Sequence, residues 1–259
     1  MKAKIKKILN AKNKKPLVCL TAYSKQYSKI LDKHCDIILV GDSMANTLYS
    51  MKDTHQVTLD MMINHATSVQ LGVKNALTVV DMPKNSYRNV SEAKKNAKLI
   101  IKKTKCNAVK IESNRRNFLI IKKIVKEGIP VMGHIGFTPQ FKSKFKPEGL
   151  TNFQSLNLLN EAKKIEEAGA FAIVLECISS KTAGSITKNL KIPTIGIGSS
   201  VNCDGQVLVI DDLIGLSQSK FKFVKKYINI TKIIEVAVKK YKSEVLKKQF
   251  PKTKHSFKN

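Results

Sequence analysis

Short apolar runs alternate with longer amphipathic runs along the whole chain of 259 residues. The short runs predict eight strands, near 17–21, 36–41, 77–81, 108–112, 131–134, 171–176, 194–197 and 207–210. Most are apolar at successive positions, as strands of a parallel sheet covered on both faces are. Between them, apolar residues three or four apart predict helices over 25–31, 59–69, 92–102, 117–126, 153–168 and 182–190. Thr58 and Ser91 are the expected N-caps of the second and third of these, and Gly128 with Pro130 ends the fourth. A last helix, 231–246, sets Ile234, Val238, Tyr241 and Val245 on one stripe. Eight such βα alternations on about this length predict a closed (β/α)8 TIM barrel, α/β in class, as a single domain over 1–259. Neither a Gly-x-Gly-x-x-Gly turn nor a P-loop follows the first strand, which argues against an open nucleotide-binding sheet. The N-terminal segment is basic, and the lysine-rich tail after about residue 250 is expected to fray.

Four of the strands end in an acid. Ile37–Val40 runs into Gly41-Asp42-Ser43, 77–80 into Asp81, 108–111 into Glu112 and 171–175 into Glu176. The C-terminal edge of a parallel sheet is where such folds place their chemistry. One strand-end aspartate is as readily a helix cap; four together favour a site. Asp42, Asp81 and Glu112 offer hard oxygen ligands suited to Mg²⁺. Lys110 and Glu112 lie two apart, so their side chains share a face. A buried Lys110 needs a carboxylate partner, from the protein or from a substrate, and both readings stay open. Ser43 either contacts a substrate or caps the next turn. His134, in Gly133-His134-Ile135-Gly136, stands at another strand end, where a positioning role and a plain hydrogen bond are both open. Glu176 ends the most apolar of these strands, where desolvation favours a stronger base.

Composition changes this picture little. The net charge is +28, almost all of it lysine; the only arginines are Arg88, Arg115 and Arg116. The lysines are spread along helix faces and both termini, which describes a solvated basic surface rather than a nucleic-acid reader. Five cysteines without a Cys-x-x-Cys pair read as buried reduced thiols. No run reaches the roughly 18 apolar residues of a membrane span, and no signal core opens the chain, so a cytoplasmic location is expected. The irregular segment 137–150 interrupts the alternation at the active edge, as lids do.

The order and spacing of these landmarks carry a resemblance. Leu20-Thr21-Ala22-Tyr23, Val40-Gly41-Asp42-Ser43, Asp81-Met82-Pro83, Val109-Lys110-Ile111-Glu112, Gly133-His134-Ile135-Gly136 with Thr138-Pro139-Gln140, Leu175-Glu176-Cys177, Ile195-Gly196-Ile197-Gly198 and Asp204-Gly205-Gln206 follow one another over nearly the whole chain. In this order the chain resembles the 3-methyl-2-oxobutanoate hydroxymethyltransferase (ketopantoate hydroxymethyltransferase) family. The resemblance implies a (β/α)8 barrel that transfers a one-carbon unit from 5,10-methylenetetrahydrofolate to 3-methyl-2-oxobutanoate, giving 2-dehydropantoate for pantothenate and coenzyme A synthesis. It implies one Mg²⁺ per subunit at Asp42, Asp81 and Glu112, 2-oxo acid contacts at Asp42, Ser43, Asp81 and Lys110, and Glu176 as proton acceptor. It implies a homo-oligomer, commonly a decamer. The chain departs from the family pattern at Ser24, at Ser113-Asn114 and in the lysine-rich loop after Gln140. A Mg²⁺-dependent 2-oxo-acid carbon–carbon lyase on the same barrel is one alternative, weakened by the absence of cysteine from 137–150. A non-catalytic polyanion-binding homologue is the other.

Overall fold

The computed structural model describes residues 2–142, 144–217 and 219–257. Ser143 of the 137–150 loop and the last two residues of the tail lie outside the described residues. Eight strands form the barrel: β1 (Leu17–Thr21), β2 (Ile37–Val40), β3 (Leu77–Asp81), β4 (Ala108–Glu112), β5 (Val131–Gly136), β6 (Ala172–Glu176), β7 (Thr194–Ile197) and β8 (Gly205–Leu208). Each pairs in parallel with the next, and β8 closes on β1. The expected fold class is therefore observed.

Helices α1 (Lys2–Asn10), α2 (Lys25–Leu31), α3 (Met44–Thr47), α4 (Leu59–Gln70), α5 (Val90–Thr104), α6 (Phe118–Lys126), α7 (Asn152–Glu167) and α8 (Ser180–Asn189) accompany the strands. Local chemistry sets their ends. The Thr58 hydroxyl accepts from the Met61 N–H at the start of α4. At α5 the cap is Asn89, whose side chain accepts from the Glu92 N–H at 2.9 Å, two residues ahead of the expected Ser91.

The last strand lies two residues earlier than its apolarity suggests. Its register is fixed by Gly205, where a Cβ would stand 2.6 Å from the Leu17 carbonyl oxygen. Only glycine lets β8 approach β1 that closely. Asp204, just before it, accepts from Lys12 Nζ at 2.8 Å and from the Thr194 N–H at 2.9 Å, and so ties β8 to β7 and to the N-terminal segment.

Alternate strand residues fill the barrel. Leu17, Cys19, Ile37, Leu39, Leu77, Val79, Ala108, Met132, Ala172, Val174, Ile195 and Val207 form one buried cluster, joined by Ile8 of α1. Continuing the same two-residue period toward the C-terminal ends of the strands brings Asp81, Lys110, Glu112, His134 and Glu176 to the mouth. Apolar filling below and titratable groups above thus come from one alternation.

The barrel is complete within one compact unit, Met1–Val209. Ile210–Asn259 forms a second unit with helices α9 (Ile210–Leu213) and α10 (Ile230–Leu246). No residue of α10 is buried, and its Ile234, Val238, Tyr241 and Val245 are all exposed. Beyond about residue 250 the chain makes a short 3₁₀ turn, Thr253–His255, and the Phe250 ring lies edge-on to Tyr241. Among the described residues no helix is long and apolar enough to cross a membrane.

Candidate active site at the barrel mouth

Five consecutive strands deliver the site. Asp42 follows β2, Asp81 ends β3, Lys110 and Glu112 lie on β4, His134 on β5 and Glu176 ends β6. The register sets neighbours side by side: Asp81 opposite Lys110, Glu112 opposite His134, Gly136 opposite Glu176. Asp42, Asp81, Lys110, Glu112 and His134 are all buried, whereas the Glu176 side chain keeps 18% of its surface open.

The buried charges are paired. Lys110 Nζ donates to Asp81 Oδ1 at 2.7 Å, and the Asp42 N–H donates to Asp81 Oδ2 at 3.1 Å. Burial works against the charge on Lys110, but Asp81, Asp42 and Glu112 outweigh it and push its pKa upward, so it stays an ammonium. Burial first, then the charges of Asp81 and Glu112, push the Asp42 carboxyl well above the usual carboxylate range. His134 stands between two acids, with Nε2 3.2 Å from Glu176 Oε2 and Nδ1 3.6 Å from Glu112 Oε1. Neither ring nitrogen makes an aligned hydrogen bond, so the attraction is ionic. Burial and the Lys110 charge lower the His134 pKa, yet the two carboxylates prevail and hold it at about 9. At neutral pH an imidazolium therefore lies against Glu176.

Gln140, from the 137–150 loop, joins the acids. Its backbone N–H donates to Glu112 Oε2 at 2.9 Å, and its Nε2 donates to Asp42 Oδ2 at 2.8 Å and to the Met82 carbonyl at 3.0 Å. Its Oε1 accepts from the Tyr87 hydroxyl. Gln140 stands within the expected landmark Thr138-Pro139-Gln140, but nothing local marks it as the link between two strand-end carboxylates. Ser43 shares a hydrogen bond of 2.8 Å with the Tyr23 hydroxyl. His65 Nδ1 is 2.7 Å from the Tyr23 carbonyl oxygen. Sequence reasoning missed Tyr87 and His65, whose roles depend on contacts across the fold.

Among the described residues, no three acidic, histidine or cysteine side chains are grouped to hold one metal ion. Asp42 and Glu112 each commit an oxygen to Gln140, and Asp81 commits one to Lys110. Four carboxyl groups share the mouth with one ammonium and one imidazolium, and it is this crowding of acids, with burial, that raises the Asp42 pKa.

The family model for ketopantoate hydroxymethyltransferase matches residues 2–253. The chain belongs to that family. A 3-methyl-2-oxobutanoate hydroxymethyltransferase from Pelagibacter ubique is 52% identical over 99% of this chain and 100% of its own length. One from Anaplasma marginale is 45% identical over 96% of this chain and 92% of its own. Among solved structures, a phosphonopyruvate hydrolase in complex with oxalate and Mg²⁺ shares the fold, with a TM-score of 0.63 at 10% identity over 97% of this chain and 93% of the other.

Proposed function

We propose that this member of the family transfers a hydroxymethyl group from 5,10-methylenetetrahydrofolate to 3-methyl-2-oxobutanoate, giving 2-dehydropantoate. The observation that carries the reading is the pairing at the mouth. A partly open carboxylate, Glu176, is fixed by His134 beside a buried cluster of acids. Proton removal alpha to a carbonyl requires a base beside a group that takes up the enolate charge, and a cation held by these acids would supply the second.

The donor set fits a hard divalent cation. Asp42, Asp81 and Glu112 offer only oxygen, and the raised Asp42 pKa marks a place where added positive charge is favoured. The Mg²⁺ and oxalate described for the phosphonopyruvate hydrolase of like fold support the same reading, since oxalate has the shape of a 2-oxo acid enolate. Asp42, Asp81 and Glu112 would hold the ion, one per subunit. When bound, it polarises the 2-oxo group of the substrate as a Lewis acid.

The chain's own residues do the rest. Ser43 and Lys110, at the edge of the acidic cluster, orient the substrate carboxylate, with Asp42 and Asp81 as the other contacts. Glu176 takes the proton from C3 onto its carboxylate, and the adjacent His134 imidazolium, 3.2 Å away, holds that carboxylate in place. Water adds to the methylene carbon as its bonds to the two folate nitrogens break, the C3 carbon bonds that formaldehyde-level carbon, the water oxygen remains as the product hydroxyl, and tetrahydrofolate leaves with one proton from water and the one lost from C3.

The exposed apolar stripe of α10 supports a homo-oligomer, for which a decamer is the family expectation. The unpaired cysteines support a reducing, cytoplasmic setting.

The test uses the exchange half-reaction. With Mg²⁺ in deuterated water, the wild type exchanges the C3 proton of 3-methyl-2-oxobutanoate without folate. Glu176→Gln reduces that rate by about 10²–10⁴-fold, the usual contribution of a positioned base, and leaves substrate binding in place. Exchange at the wild-type rate removes Glu176 from the role.

A further inference from the structure

A second compartment adjoins the acidic mouth. It is a cavity of about 390 Å³, within the range of small-molecule sites, between the loop after β3, the segment between β4 and α6, and Phe141 of the 137–150 loop. Its walls carry Lys84, Arg88 and Arg116, with no acid among the lining residues. The chain has only three arginines among 47 basic residues, and two of them line this cavity. The third, Arg115, precedes Arg116 in the chain and pairs with Glu161. A forked arginine donor recognises a carboxylate in a way an ammonium does not.

Two lining residues are also walls of the acidic site. Tyr87 donates to Gln140, which donates to Asp42. Asn117 Nδ2 donates to the Glu112 carbonyl at 2.8 Å. The two compartments are thus one hydrogen-bonded layer apart and opposite in charge. On the cavity side, the Tyr87 and Phe141 rings meet edge to face at 6.3 Å and make an apolar corner beside the cations. Arg88 is already forked onto Glu92 at the rim. Arg116 has no ion-pair partner among the described residues, and Lys84 Nζ contacts only the His55 ring, at 3.1 Å.

We propose that this cavity binds the aminobenzoyl-glutamate half of the folate co-substrate, with Arg116 and Lys84 taking the glutamyl carboxylates and Tyr87 and Phe141 the aromatic ring. The assignment rests on the function proposed above. It accounts for how two co-substrates of unlike charge pattern meet. The small 2-oxo acid fills the acidic mouth, while the larger anion is held outside by cations.

The experiment compares Arg116→Gln, Lys84→Gln and the double variant with wild type, using tetrahydrofolate and synthetic p-aminobenzoyl-glutamate chains as probes. Direct titration of tetrahydrofolate should weaken about tenfold for each single variant, the effect of losing one charged hydrogen bond. The KM for methylenetetrahydrofolate should rise in parallel. p-Aminobenzoyl-tetraglutamate should compete better than the monoglutamate against wild type, and this gain should shrink in the double variant. The folate-free C3 exchange should stay at the wild-type rate, which also reports that the variants fold. Unchanged tetrahydrofolate binding in the double variant overturns the assignment and leaves the proposed function standing. A wild type that exchanges no C3 proton and makes no 2-dehydropantoate overturns both.

Discussion

The Gln140 bridge can be tested by a double-mutant cycle with Tyr87. Gln140 is 1% exposed, and its side chain serves three buried partners: Asp42 Oδ2, the Met82 carbonyl and the Tyr87 hydroxyl. Gln140→Leu keeps the bulk but takes away the donor to Met82 and the acceptor of Tyr87. A buried neutral polar group left without its partner costs about 1–3 kcal/mol, so the two together cost about 2–6 kcal/mol. Tyr87→Phe alone strands Gln140 Oε1 and costs about 1–3 kcal/mol. In the double variant the Tyr87 hydroxyl is no longer present to be stranded. Gln140 Oε1 is absent from it as well, so the combined loss should fall short of the sum of the single losses by about 2–6 kcal/mol. Urea unfolding followed by circular dichroism gives the four free energies. Asp32→Asn, which shares no partner with either residue, serves as the control and should combine additively with Tyr87→Phe. Additivity of Gln140→Leu and Tyr87→Phe within about 0.5 kcal/mol would refute the claim that the hydroxyl depends on this glutamine.

Three further predictions concern the frame around the site. Asp32 Oδ1 accepts from the Asn75 and Ala76 N–H groups at 2.8 Å each; burial raises its pKa, but the backbone donors of Ala76, Asn75 and Lys74 more than offset this and leave it below the ordinary value. Its contribution is thus present above the unfolded-state pKa and fades as pH falls through the folded one, so Asp32→Asn should lose about 1–3 kcal/mol at pH 7 and progressively less below about pH 4, a gap that thermal midpoints read directly. Gly136 has φ +92°, and a Cβ there would lie 2.1 Å from the Glu176 carbonyl oxygen; at Gly128, φ +78°, it would meet nothing within 4 Å. Gly128→Ala should cost about 1 kcal/mol of backbone strain, Gly136→Ala clearly more with lost C3 exchange, and equal urea midpoints would contradict the steric account. All five cysteines are buried and free, and burial with nearby acids pushes Cys35 to about 11 and Cys177 to about 12. An aromatic disulfide reagent at pH 8 should find no fast thiol in the native protein and five in denaturant; a fast native thiol would show a local opening.

Much of the barrel is legible because its signal is local. Leu77–Asp81 and Ala108–Glu112 match their expected bounds, since apolar runs ending in an acid need no partner to be seen. The strand at Gly205–Leu208 is displaced because its register comes from the space a missing Cβ leaves beside Leu17. The same divide runs through the site. Asp42, Asp81, Glu112 and Glu176 announce themselves as acids after apolar strands. Lys110 follows from the two-residue period once Glu112 is placed. Gln140 and Tyr87 have ordinary surroundings in the chain and acquire meaning from partners 28 to 98 positions away, as in Gln140 on Glu112 and on Asp42. Period and composition cannot reveal a contact of that kind.

Net charge illustrates the same limit from the other side. A chain of +28 suggests an anion binder, yet the barrel mouth has the opposite local sign. The two facts are compatible because surface lysines are screened over about 8 Å at physiological salt, while buried charges are not. The exposed ammonium groups therefore do not relieve the repulsion that raises the Asp42 pKa. Relief must come from within the site, where Lys110 and His134 are the two cations beside four carboxyl groups. Either a proton stays on Asp42 or a cation binds beside it. The same crowding of acids makes the mouth a poor place for the carboxylates of a folate, and the acid-free cavity across the Tyr87–Gln140 layer is the nearest region where they find cations.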